Sequence, residues 1–139
     1  MRNPYKRYCA TAVQNEIRMQ SRFPGFRFTG WQGAARWTGK LQPLEGGTIY
    51  QVRITLGSEG SPRVFVVSPK LNPRPPHLYR NGSLCLYYPD DRSWTPDKFI
   101  ADTIVPWTAE WLYFHEFWID TGKWLGPEAP HTGPKPQPN

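Results

Sequence analysis

The stretch Thr48-Ile49-Tyr50-Gln51-Val52-Arg53-Ile54-Thr55-Leu56 alternates apolar and polar side chains along its length. Successive residues of a strand point to opposite faces, so Tyr50, Val52, Ile54 and Leu56 share one side and Gln51, Arg53 and Thr55 the other. One dry face and one wet face is the habit of an antiparallel strand. Gly46-Gly47 precedes it as a turn. Gly57 to Pro62 follows as a hairpin loop and leads into the next strand, Val64-Phe65-Val66-Val67. Upstream, Phe26, Phe28, Trp37, Gly39 and Leu41 read as one first strand interrupted by glycines. The middle of the chain is therefore an antiparallel meander.

Helical patterns flank it. Between Thr11 and Phe23, Ala12, Val13, Ile17 and Gln20 fall near helical spacing, and Pro24-Gly25 stops the helix. Near the other end, Thr103 or Asp102 caps a helix with Pro106 in its first turn. Trp107, Trp111, Phe114 and Trp118 recur along it as an aromatic stripe, and Gly122 ends it. Such a stripe reads as core. The expected fold class is α+β, with the aromatic helix packed on the sheet and the N-terminal helix flanking one edge. Residues 1–126 form the expected domain, and the proline-rich residues 127–139 a disordered tail.

Composition narrows the classes. At 139 residues the chain holds one compact domain, and its 7 Trp, 7 Tyr and 7 Phe supply large apolar areas. Only 20% of residues are charged, which argues against disorder although the mean hydropathy is −0.65. Two cysteines, Cys9 and Cys85, are too few for a disulfide framework. No apolar run has the length of a membrane span, and Met1 to Lys6 lacks the apolar stretch of a signal peptide. A soluble, cytoplasmic protein is expected, without a membrane partner. The net charge of +6 favours anionic partners. Its cations are dispersed along the chain with no basic arm, so nucleic acid is not the expected partner.

From Ser68 to Pro76 the chain carries Pro69, Pro73, Pro75 and Pro76, each of which fixes φ and removes a donor, so an extended crossing is expected. The crossing delivers His77 and then Asn81-Gly82, a strong turn signal, followed by the apolar Leu84-Cys85-Leu86. Asp90 to Pro96 is a further loop, in which Trp94 packs over the core. No glycine-rich phosphate loop is present, and the three histidines and two cysteines lack metal-ligand spacing, so neither cofactor nor metal is expected. His115-Glu116 has no second histidine four residues on, and Cys9 is incidental.

This order of helix, meander, proline-rich crossing, turn, cysteine, tryptophan loop and helix resembles the ubiquitin-conjugating enzymes. Their active-site stretch reads His-Pro-Asn, then Gly, any residue, an aliphatic, Cys, Leu, and later Trp, any residue, Pro. The matching strings here are Pro75-Pro76-His77, Gly82-Ser83-Leu84-Cys85-Leu86 and Trp94-Thr95-Pro96, within a resemblance running from Thr11 to Trp124. Within that family the chain looks closest to compact bacterial members of anti-phage (CBASS) operons, which lie beside a nucleotidyltransferase related to cyclic GMP–AMP synthase. The features that point there are His77 with Tyr79, the string Leu84 to Tyr87, and the tryptophan-rich ending through Trp124.

The resemblance implies a thioester on Cys85, formed with the carboxyl terminus of that cGAS-like nucleotidyltransferase or of a ubiquitin-like protein. The acceptor is then a protein lysine or another amine. Cys85 must stand at the surface on a stiff loop for this chemistry. The family's asparagine, a donor toward the oxyanion, falls here on His77. Imidazole donates through one ring nitrogen, or both when charged, so His77 either keeps that role or only pins the loop. Arg80 and Arg92 are cations near the cysteine. Asp90 and Asp91 either orient an incoming amine or form a solvated turn. Two other readings stand beside this one: a conjugating-like module that binds without catalysing, and a small basic nucleic-acid-binding domain.

Overall fold

A computed structural model describes residues 11–31, 34–57, 60–87 and 92–126. Its order is α1 (Ala12–Arg22), β1 (Arg27–Trp31), β2 (Ala34–Leu41), β3 (Tyr50–Leu56), β4 (Pro62–Ser68), a short 3₁₀ turn (Ile100–Asp102) and α2 (Ile104–Thr121). The four strands form one antiparallel sheet in the order β1-β2-β3-β4. This is an α+β meander with a helix at each end, consistent with a ubiquitin-conjugating-like fold. The expected single first strand is two strands. Phe28 belongs to β1, with Phe26 just before it, and Trp37, Gly39 and Leu41 to β2, paired through Phe28 opposite Trp37.

The alternation of β3 holds: Tyr50, Val52 and Ile54 are buried, and their partners Trp37 and Val64 line the same inner face. Gly39 on β2 has a packing reason. The Phe26 ring lies over it so closely that a Cβ there would sit 2.6 Å from the ring carbons. Gly39→Ala is therefore expected to displace Phe26 and to destabilise by about 1–3 kcal/mol, as overpacked cores do. Urea unfolding checks this, and an unshifted midpoint would remove the packing argument.

The helix over Thr11–Phe23 forms where expected, but with a different face inward. Val13 and Ile17 are each 66% exposed, whereas Asn15 and Met19 are buried. The reason is hydrogen bonding. Asn15 Oδ1 accepts the Ile100 N–H at 2.9 Å and its amide donates to the Thr11 carbonyl at 3.0 Å, so a polar side chain is satisfied inside. A reciprocal capping box between Thr11 and Gln14 starts the helix. Glu16 accepts from Trp37 Nε1 at 2.8 Å, so α1 meets the sheet at β2, one strand in from the expected edge. Arg18 and Arg22 both reach the Asp102 carboxylate, at 2.8 and 2.6 Å, and hold it below the usual carboxylate range.

Helix α2 also turns an unexpected row inward. Of the aromatic stripe only Trp111 is buried; the other buried positions are Ile104, Val105, Thr108, Leu112 and His115. Thr108 can be buried because its hydroxyl donates back to the Ile104 carbonyl at 2.7 Å. Thr103 is the N-cap, but its hydroxyl donates back to the Phe99 carbonyl at 2.8 Å instead of capping the helix, and Gly122 ends the helix in the left-handed conformation at φ 76°. Residues 127–139, expected as a tail, lie outside the described residues, as do Cys9, Asp90 and Asp91.

The outer face of the sheet gathers cations that the sequence scatters. Arg27, Arg36, Lys40, Arg53 and Arg63 all point away from the core, separated across the strands by Thr38 and Thr55, and the four strands hold no Asp or Glu. Threonines between the arginines spare the sheet like charges placed directly opposite one another. No helix among the described residues is long and apolar enough to cross a membrane.

Candidate active site

The run from Pro69 to Pro76 crosses the molecule without regular structure, with cis bonds before Pro69 and Pro73. From within it, Arg74 donates to the Tyr79 carbonyl at 2.8 Å. The turn that follows is the expected one. Gly82 takes φ 91° and its N–H bonds the Tyr79 carbonyl at 2.9 Å. Asn81 Oδ1 accepts from the Ser83 N–H at 2.9 Å and from its hydroxyl at 2.7 Å. Leu78 and Leu84 then pair as an isolated bridge, and the Leu84 N–H donates to the Val64 carbonyl of β4 at 2.9 Å. Both leucines are core residues, so the loop is fastened to the sheet.

Cys85 follows at once. Its N–H donates to the His77 carbonyl at 2.9 Å, and the same carbonyl accepts Trp111 Nε1 from α2 at 3.3 Å. His77 has φ 62°, a left-handed conformation in which asparagine, aspartate and histidine are several-fold enriched among non-glycine residues. An asparagine and a histidine are both among the residues that tolerate this backbone. The His77 ring is half-buried, 5.0 Å from the Trp124 ring. The two site residues named from the sequence are thus joined through the backbone.

The loop is bonded on both sides, but the expected exposure of its cysteine is not found. Cys85 is 7% exposed, because a loop bonded to β4 on one side and α2 on the other is drawn into the packing rather than standing off it. Trp94 packs near Tyr87, with ring centroids 6.1 Å apart, in the covering position expected of it. Arg80 and Arg92 are both exposed.

One polar cluster in the core was read from the sequence only as a failed zinc motif. Tyr50 donates to Glu116 in a short bond, and its oxygen lies 2.8 Å from His115 Nδ1. A phenol has one proton. With that proton directed at Glu116, His115 must donate from Nδ1, which selects its neutral Nδ1–H tautomer. Burial, then the bond to Glu116, raises the Tyr50 phenol well above its usual range. Burial resists ionisation of Glu116, but the bonds from Tyr50 and Thr48 outweigh it and hold the carboxyl low. Burial likewise holds His115 below the ordinary imidazole value of about 6.5.

The sign of the pH effect follows. As the pH falls below about 6.5 the unfolded chain takes up a proton on this histidine before the folded one does, so stability present above that value drains away. The urea midpoint is expected to fall between pH 7.5 and pH 5.5, and His115→Gln to flatten that fall. An equal slope in the variant would assign the effect elsewhere. His115 also stacks on Trp111 at 5.5 Å and 12° between planes, so the cluster supports the ring that bonds the His77 carbonyl. The spacing of Trp111 revealed only a core residue. Its indole N–H has no signature in sequence.

Comparison with curated proteins returns no match. A family model described as Type II CBASS E2 protein matches residues 15–132, which takes in the sheet, the His77–Cys85 loop and α2. With that span covered, the chain belongs to the Type II CBASS E2 protein family, E2-like proteins of anti-phage defence.

Proposed function

We propose that the protein is a conjugating-like acyl carrier with Cys85 as its nucleophile. The thiolate of Cys85 attacks the activated carbonyl of a donor's carboxyl terminus. The new bond joins Sγ to that carbon, and the activating group leaves with the electron pair. An acceptor amine, a protein lysine or a related group, then attacks the thioester. The nitrogen–carbon bond forms, the Sγ–carbon bond breaks, and the amine proton passes to solvent. His77 is the proposed donor toward the oxyanion of both steps, a role worth about 2.7–4 kcal/mol when well aimed. A cGAS-like nucleotidyltransferase or a ubiquitin-like protein is the proposed donor.

The observation that supports this reading best is the bond from the Cys85 N–H to the His77 carbonyl, inside a loop held by both β4 and α2. Pre-set geometry of this kind is what a reaction with little general acid–base help requires. The 7% exposure of Cys85 favours a second reading, an E2-like module that binds partners without chemistry. Catalysis demands that the cover over the thiol withdraw when a donor docks. Incubation of the whole chain with a short peptide thioester of 2-mercaptoethanesulfonate separates the two. An intact mass increased by one acyl group, and returned by thiol reductant, supports the carrier. An unchanged mass supports the binding module.

A further inference from the structure

We infer that Trp124 is a positioning residue for the His77 imidazole. The inference rests on the reading of Cys85 and His77 as the reacting pair. It begins with the chain reversal at Gly122, whose left-handed φ of 76° turns the residues after α2 back along that helix. Trp124 is thereby laid against α2, 5.3 Å from the Trp111 ring and 6.3 Å from Phe114. Gly126 completes the return. A Cβ at that position would lie 2.4 Å from the Phe114 ring, so the segment fits only because the residue is glycine.

The Trp124 indole also meets the His77 ring, with centroids 5.0 Å apart and planes at 57°. The division of labour is plain. The Cys85 N–H and Trp111 Nε1 fix the His77 carbonyl, and so the backbone. A bond to the carbonyl fixes no side-chain torsion. An oxyanion donor acts only when its N–H is aimed at the position where charge develops, and every rotamer that a neighbour excludes raises the share of time it is so aimed. Trp124 restricts that choice. Two tryptophans of the C-terminal helical region thus meet one histidine, Trp111 at its backbone and Trp124 at its ring.

Two measurements test this. In the full-length protein, proton NMR of the His77 ring, assigned with His77→Gln, is expected to show an upfield displacement from the indole ring current. Trp124→Leu loses it and Trp124→Phe keeps part of it. In single-turnover acyl transfer from the peptide thioester, Trp124→Leu is expected to slow the step about tenfold or more. The half-saturating donor concentration stays the same, and Trp124→Phe recovers to within about threefold. In a His77→Gln background, Trp124→Leu is expected to add less than about twofold, because the loss acts through the histidine.

Equal slowing in both backgrounds would make Trp124 merely structural and overturn the inference, as would an undisplaced His77 resonance in the parent chain. If Trp124→Leu does not fold, the parent resonance and Trp124→Phe still decide the matter. A parent protein that takes no acyl group removes the proposed function instead, while the ring-current measurement still reports whether Trp124 holds the ring.

Discussion

Cys85→Ala is expected to give a folded protein that never gains the acyl mass, while the parent chain gains one acyl group that reductant removes. Loss should be complete, because no other group in the proposed mechanism forms the thioester. The substitution deletes one sulfur from a 7% exposed site and keeps the backbone bond from residue 85 to the His77 carbonyl, so the fold should lose about 1 kcal/mol. Circular dichroism and a urea titration establish that the variant is folded. Intact mass spectrometry then reads the adduct. Equal labelling of the parent and Cys85→Ala proteins would place the chemistry elsewhere and end the present reading of the loop. A parent chain that reacts would also show that a covered thiol is reached when a donor arrives.

The largest effect on stability is expected at Trp37. Its ring is fully buried, packs 5.3 Å from the Phe28 ring, and donates from Nε1 to Glu16. Trp37→Ala removes the largest side chain of the inner sheet face and leaves the half-buried Glu16 without its donor. Aromatic-to-alanine changes in cores cost about 3–5 kcal/mol, a large part of a domain's total of about 5–15 kcal/mol. Trp37→Phe keeps most of the packing and loses only the bond to α1, so it should cost distinctly less. Denaturant midpoints order the three proteins. An alanine variant as stable as the parent would mean that α1 does not depend on this contact.

Much of this molecule was legible before any coordinates. The β3 alternation, the Asn81-Gly82 turn, the proline-rich crossing and the Gly122 stop are local signals with local causes, and each appears where its residues put it. The two helices were legible as helices but not in their orientation. Asn15, Thr108 and His115 are buried because each finds a hydrogen-bond partner, two of them through residues 65 or more positions away. Hydropathy assigns such residues to the surface. The first strand was misread for a related reason: Gly39 looked like an interruption and is the floor on which Phe26 rests.

The site divides in the same way. Cys85 and His77 were found from their spacing and from the resemblance it carried. Their bond, the double use of the His77 carbonyl and the tryptophan behind the imidazole join residues up to 47 positions apart. The cover over Cys85 and the clustering of five scattered cations on one sheet face are likewise tertiary facts. By itself the sequence determined most of the elements, their order and which two residues are proposed to react, because turns, strand periodicity and helix stops depend on neighbours within a few residues. Which faces turn inward, how far the thiol is covered and which ring steadies the histidine were decided only on folding. Those outcomes depend on partners that the chain meets once it has folded back on itself.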